Sequence, residues 1–93
     1  MKSILQDKRE CYITGRTDSL HRHHIYGGSR RKASEKWGCW VYLIGDYHNQ
    51  SAQGVHFNPK LDQQLKRICQ KEFELRYGRE KFMELFGKNY LEE

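Results

Sequence analysis

A small α+β domain is the fold class this sequence predicts: two short strands, a polar connection between them, and helices after them. Three observations carry it. Leu20–Tyr26, ending at Gly27-Gly28, and Cys39–Ile44, set between Gly38 and Gly45, are short extended-looking runs; the second is rich in aromatic and β-branched residues. Leu61, Leu65, Ile68, Cys69 and Phe73 recur at helical spacing behind an Asn58-Pro59 start, as on one face of an amphipathic helix. The chain has 93 residues, a length that suits a single domain.

In chain order, Cys11 to Leu20 reads as short extended pieces around a turn, with Gly15-Arg16-Thr17-Asp18 supplying the turn residues. The first strand follows, and Gly27 to Gly38 is expected to be a polar loop. After the second strand, Asp46 to His56 is polar and is expected to begin as a short helix capped by Asp46. Pro59 suits a first helical position, and the helix it opens is expected to reach about Tyr77, where Gly78 can end it. A last short helix, Arg79 to Phe86, offers Phe82, Leu85 and Phe86 as a packing face. Trp37, Trp40, Tyr42 and the stripe Leu61, Leu65, Ile68 and Phe73 are assigned to the core. Cys39 and Cys69 are assigned there too, as small apolar residues, because nothing in the sequence marks either as a nucleophile.

Hydrophobic residues are 37% and charged residues 31%, a balance that excludes a disordered chain and still makes a very polar surface. A domain this small buries about two-thirds of its unfolded surface, so a bound metal is a common supplement to its core. The net charge is +5. Its excess sits in residues 1–46, with nine Lys/Arg against five Asp/Glu, whereas residues 47–93 hold eight against seven. The basic half is also the half with the clustered histidines, which favours a polyanion such as DNA or RNA as partner. No apolar run is long enough to span a bilayer, and no signal-like segment is expected. Three cysteines, Cys11, Cys39 and Cys69, are an odd count without paired spacing, so the expectation is a reducing, cytoplasmic setting without a disulfide framework.

All five histidines fall between residues 21 and 56: His21, His23, His24, His48 and His56. Three sit at the end of the first strand and two follow the second, so pairing the strands brings the groups together as a cage for one divalent metal. Taken alone, His21-Arg22-His23-His24 also fits a solvated basic patch, and His56 also fits a helix cap. The later histidines and the basic connection (Arg30, Arg31, Lys32) tip the reading toward a site.

The text His23-His24-Ile25 before Gly27-Gly28, then Val41-Tyr42-Leu43, Asp46-Tyr47-His48 and Gly54-Val55-His56-Phe57-Asn58, resembles the HNH endonucleases, in particular their small phage-encoded members. The resemblance covers roughly residues 11–58. It implies a ββα-metal (His-Me finger) core there, with residues 59–93 as helices packed on it. It further implies His24 as general base and His23, His48 and His56 as ligands of one divalent ion (magnesium, manganese, nickel or zinc). Two departures stand out: Cys39 occupies the position of the family's middle asparagine, and the two Cys-x-x-Cys pairs that hold a structural zinc in many relatives are reduced to Cys11 with Thr14, and to Ile44 with Tyr47. Packing by Tyr12, Trp40, Tyr42 and the C-terminal helix is expected to replace that zinc.

The implied activity is hydrolysis of DNA phosphodiester bonds to 5′-phosphate and 3′-hydroxyl ends. Histidine supplies a base of near-neutral pKa, a metal supplies charge stabilisation, and Arg22, Arg30, Arg31 and Lys32 would neutralise neighbouring phosphates. The resemblance also implies a phage-encoded protein at work in the bacterial cytoplasm, with a phage or host protein as a further partner. Two alternatives stay open: a metal-stabilised DNA-binding module that cuts weakly, and a phage recombination accessory acting through its helical tail.

Overall fold

A computed structural model describes residues 1–45 and 58–91. The expected short helix over Asp46–His56, with His48 and His56, lies outside the described residues. Within them the fold is α+β, with two antiparallel strands and three helices. Strand β1 (Leu20–His24) pairs with β2 (Trp40–Ile44), with Leu20 opposite Ile44 and His24 opposite Trp40. The pairing runs one residue past β1, since Ile25 N–H donates to the Cys39 carbonyl at 3.0 Å. In a pleated pair directly opposite residues share a face, so His21 and His23 lie with the fully buried Leu43 and Val41, while Arg22 and His24 lie with Tyr42 and Trp40.

The connection between the strands corrects the expected polar loop. Gly28–Arg30 form one 3-10 turn, and Arg31–Lys36 form helix α1. The reason is local: Arg31-Lys32-Ala33-Ser34-Glu35-Lys36 contains no β-branched residue and several good helix formers. Gly38 then terminates the helix with φ +75°. Cys39 N–H reaches back to the Ser34 carbonyl at 2.8 Å and Gly38 N–H to that of Glu35 at 3.4 Å, the paired bonds of a Schellman cap. Gly38 is needed twice over, because a Cβ there would also strike the Lys2 carbonyl and Ile4.

Residues 1–12 cover the outer edge of β2. Ser3 Oγ donates to the Trp40 carbonyl at 2.5 Å, Tyr42 N–H donates to Gln6 Oε1 at 2.7 Å, and Tyr12 N–H donates to the Tyr42 carbonyl at 2.8 Å. The edge groups that invite strand addition are thereby satisfied. The expected turn closes as Gly15 N–H bonds the Cys11 carbonyl at 2.8 Å and Cys11 N–H bonds that of Arg16 at 2.7 Å. Thr14 N–H points at Cys11 Sγ, 3.5 Å away.

Helix α2 (Pro59–Tyr77) starts where Pro59 predicts, with the Asn58 side chain accepting from Leu61 N–H at 3.1 Å. It ends at Gly78, φ +88°, and α3 (Arg79–Phe86) follows directly. Leu65, Cys69 and Phe73 bury one stripe of α2 against Phe82 and Phe86 of α3 and against Ile25, Tyr26, Cys39, Val41 and Leu43. The Tyr26 ring lies 4.4 Å from that of Phe86 and 5.4 Å from that of Phe82, and its hydroxyl donates to the Lys66 carbonyl at 2.7 Å.

Two positions of α2 differ from expectation. Ile68 is 42% exposed, because the buried stripe advances by four residues (65, 69, 73) and leaves position 68 at its margin. Gln70 is fully buried instead. Its Oε1 accepts from Tyr90 N–H at 2.7 Å, and its amide nitrogen donates to Asn89 and Glu74. That network holds the chain after α3 against α2. Cys39 and Cys69 are buried, as the sequence reading has them.

Candidate active site

His24 is the last residue of β1, and its side chain is 14% exposed. It opens onto a cavity of about 520 Å³ lined by Gly28, Arg31, Lys32, Glu35 and Lys36. Helix α1 builds the opposite wall. Positions 31 and 35 are one turn apart, so Arg31 and Glu35 share a helix face, and that face meets the imidazole. Arg31 Nε donates to His24 Nδ1 at 3.4 Å. Glu35 Oε2 lies 3.7 Å from His24 Nε2 and is itself sealed from solvent. With Nδ1 accepting, the ring proton of the neutral form belongs on Nε2, toward the carboxylate.

Burial, first of all, pushes the His24 pKa below its ordinary value; the Glu35 carboxylate works against that shift, and the Arg31 and Arg22 guanidiniums add to it. The imidazole is therefore held neutral in a cavity whose other charges are mostly positive.

Glu35 is tied from its other oxygen. Arg22 donates to Glu35 Oε1 at 2.7 Å, and its guanidinium lies 3.8 Å from the centre of the Trp40 ring. Helix α1 is seated by Ser34, which is fully buried. Its hydroxyl donates to the Cys39 carbonyl at 2.5 Å and accepts from Tyr26 N–H at 3.2 Å. The backbone at Cys39 thus secures the helix that presents Glu35.

Of the residues singled out in the sequence, His24, Arg31 and Lys32 come together in one cavity, and Arg22 adjoins it through Glu35. Arg30 is placed elsewhere: its guanidinium donates to the Leu85 carbonyl at 3.2 Å, at the end of α3. His23 is 5% exposed and its Nε2 is sealed from solvent, on the face of β1 opposite to His24. Among the described residues no group of three His, Cys, Asp or Glu side chains stands within reach of one metal ion. Sequence reasoning missed Glu35. The available signal was its four-residue spacing from Arg31, which matters only once the segment is read as a helix.

No family model, curated protein or solved structure matches this chain.

Proposed function

We propose that this protein is a metal-dependent endonuclease of the HNH type acting on DNA, built on a ββα-metal core, with His24 as its general base. The observation that supports this most directly is the seating of His24: a neutral imidazole between Glu35 and Arg31, at the mouth of a cationic cavity. A base for phosphodiester hydrolysis needs one ring nitrogen turned to an orienting acceptor and the other open toward the nucleophile. Glu35 Oε2, 3.7 Å from Nε2, is the carboxylate placed to become that acceptor as the site closes on a substrate. Arg31, bound weakly to Nδ1, is a natural phosphate ligand; as it turns to a phosphate, Nδ1 becomes available to a water. The imidazolium that forms then has the Glu35 carboxylate beside it. Arg31, Lys32 and Lys36 offset the charge of the scissile group and its neighbours.

The resemblance assigns the ion to His23, His48 and His56, and an imidazole nitrogen is a common ligand for such an ion. Held there, such an ion would supply charge stabilisation for the hydrolysis.

The test is a plasmid-nicking assay at low salt in EDTA, Mg²⁺, Mn²⁺, Ni²⁺ and Zn²⁺. Metal-dependent nicking is expected for the wild type, and His24→Ala should lose roughly 10²–10⁴ in rate, the usual worth of a general base. If neither protein nicks in any metal, the enzyme reading fails. The second reading, a metal-stabilised DNA-binding module, then stands; it is favoured by Cys39, whose buried side chain leaves the middle position without an amide.

A further inference from the structure

A second cationic groove adjoins the first, on the other side of Arg22. It has a volume of about 520 Å³, and Lys2, Lys8, Arg9 and Arg22 line it together with Trp40 and Tyr42. Asp7 is the one carboxylate among its lining residues. Its walls are organised. The N-terminal segment is fastened to β2 through Ser3 and Gln6, and to the turn ahead of β2 by the bond from Ile4 N–H to the Gly38 carbonyl at 2.9 Å. Arg22 lies over Trp40, and the Arg9 guanidinium lies 5.3 Å from the centre of the Tyr42 ring. Resting on a ring face, the Arg9 guanidinium keeps its N–H edge available to an acceptor, while Arg22 gives one N–H to Glu35 and has others to offer. Among the described residues, Lys8 and Arg9 are in no ion pair.

The two grooves are joined by one ion pair. Arg22 lines the N-terminal groove and bonds Glu35, which lines the His24 cavity. A single phosphate would need one such pocket. Two cationic pockets in series along one surface match a ligand that repeats its negative charge.

We propose that the N-terminal groove is a second phosphate-binding site, so that one nucleic-acid backbone runs from the His24 cavity across Arg22 to Lys8 and Arg9. This extends the nucleic-acid reading of the His24 cavity and rests on it. The groove adds affinity and orientation without base readout, since its donors are cations and its rings are already covered by guanidiniums.

The experiment is fluorescence anisotropy of a short labelled duplex in EDTA across a salt series. It compares the wild type with Lys8→Gln/Arg9→Gln and with Lys71→Gln/Lys88→Gln, an equal loss of charge at exposed positions that line neither groove. The first pair should weaken binding about tenfold at low salt and flatten the slope of log K against log salt by about two, one for each lost phosphate contact. The second pair should leave the slope at its wild-type value. Equal effects from both pairs would show that net charge alone matters, and no effect from Lys8→Gln/Arg9→Gln would show that the backbone does not pass there; either overturns the proposal, as does a wild type that fails to bind the duplex. Failure of the nuclease reading has a separate signature: intact duplex binding with no nicking in any metal.

Discussion

The strand pair with α1 and the helical pair α2–α3 are assembled by different means. In the first, single polar groups do most of the fastening: Ser34 to Cys39 and Tyr26, Arg22 to Glu35, Ser3 and Gln6 to the edge of β2. In the second, rings do it. Phe73 is fully buried, with its centroid 5.6 Å from that of Phe82 and 5.9 Å from those of Phe86 and Trp37. Apolar burial is non-directional and tolerates small shifts, whereas hydrogen bonds hold a helix at one rotation and one height. The region that has to aim Glu35 and Arg31 at one imidazole is the region built from directional ties.

That contrast can be broken from the helical side first. Phe73→Ala should cost about 3–5 kcal/mol, the range for emptying an aromatic site in a core, read as a fall in denaturant midpoint. A loss below about 1 kcal/mol would mean that the rings around it do not form the close-packed core of the helical pair.

From the other side, Ser34→Ala should cost about 1–3 kcal/mol, because it strands a buried Tyr26 N–H. The informative result is its disproportion: nicking should fall more than the stability loss accounts for, since the rotation of α1 sets where Glu35 and Arg31 meet His24. Activity that simply tracks the folded fraction would remove the positional role given to Ser34.

The smallest effects sharpen the comparison most. Glu35 raises the His24 pKa against burial and Arg31 lowers it with burial, so Glu35→Gln should move it further down and Arg31→Ala should move it back toward 6.5. Imidazole NMR titration of the metal-free protein reads both. The linkage sign follows from the depressed folded value. Above 6.5, where the ring is neutral in both states, His24 leaves stability unchanged. As the pH falls below 6.5 the unfolded chain takes up the proton first, and stability declines until the folded pKa is passed. Glu35→Gln should extend that decline to lower pH, and Arg31→Ala should shorten it. Shifts in the same direction would mean that the two side chains do not flank the ring as described.

Much of the fold is local, and to that extent the sequence determined it. Asn58-Pro59 sets the start of α2 by a cap and a fixed φ, Gly78 sets its end, and the aromatic run after Gly38 makes β2. The histidine cluster and the basic connection marked where to look for a site. Tertiary structure decided the rest, because each remaining feature depends on partners distant in the chain. Gln70 is buried because Asn89 and Tyr90 return to meet it. Arg30 leaves the cavity because the Leu85 carbonyl at the end of α3 lies within its reach. Lys8 and Arg9 reach the neighbourhood of Arg22 only because Ser3 and Gln6 find the edge of β2. Glu35 faces His24 because Ser34 is clamped between Tyr26 and Cys39, a three-part contact no periodicity encodes. Propensity and spacing act over one turn of chain, and they name the groups; which group meets which is settled by the closing of the core, where a polar side chain that enters must bring its partner with it.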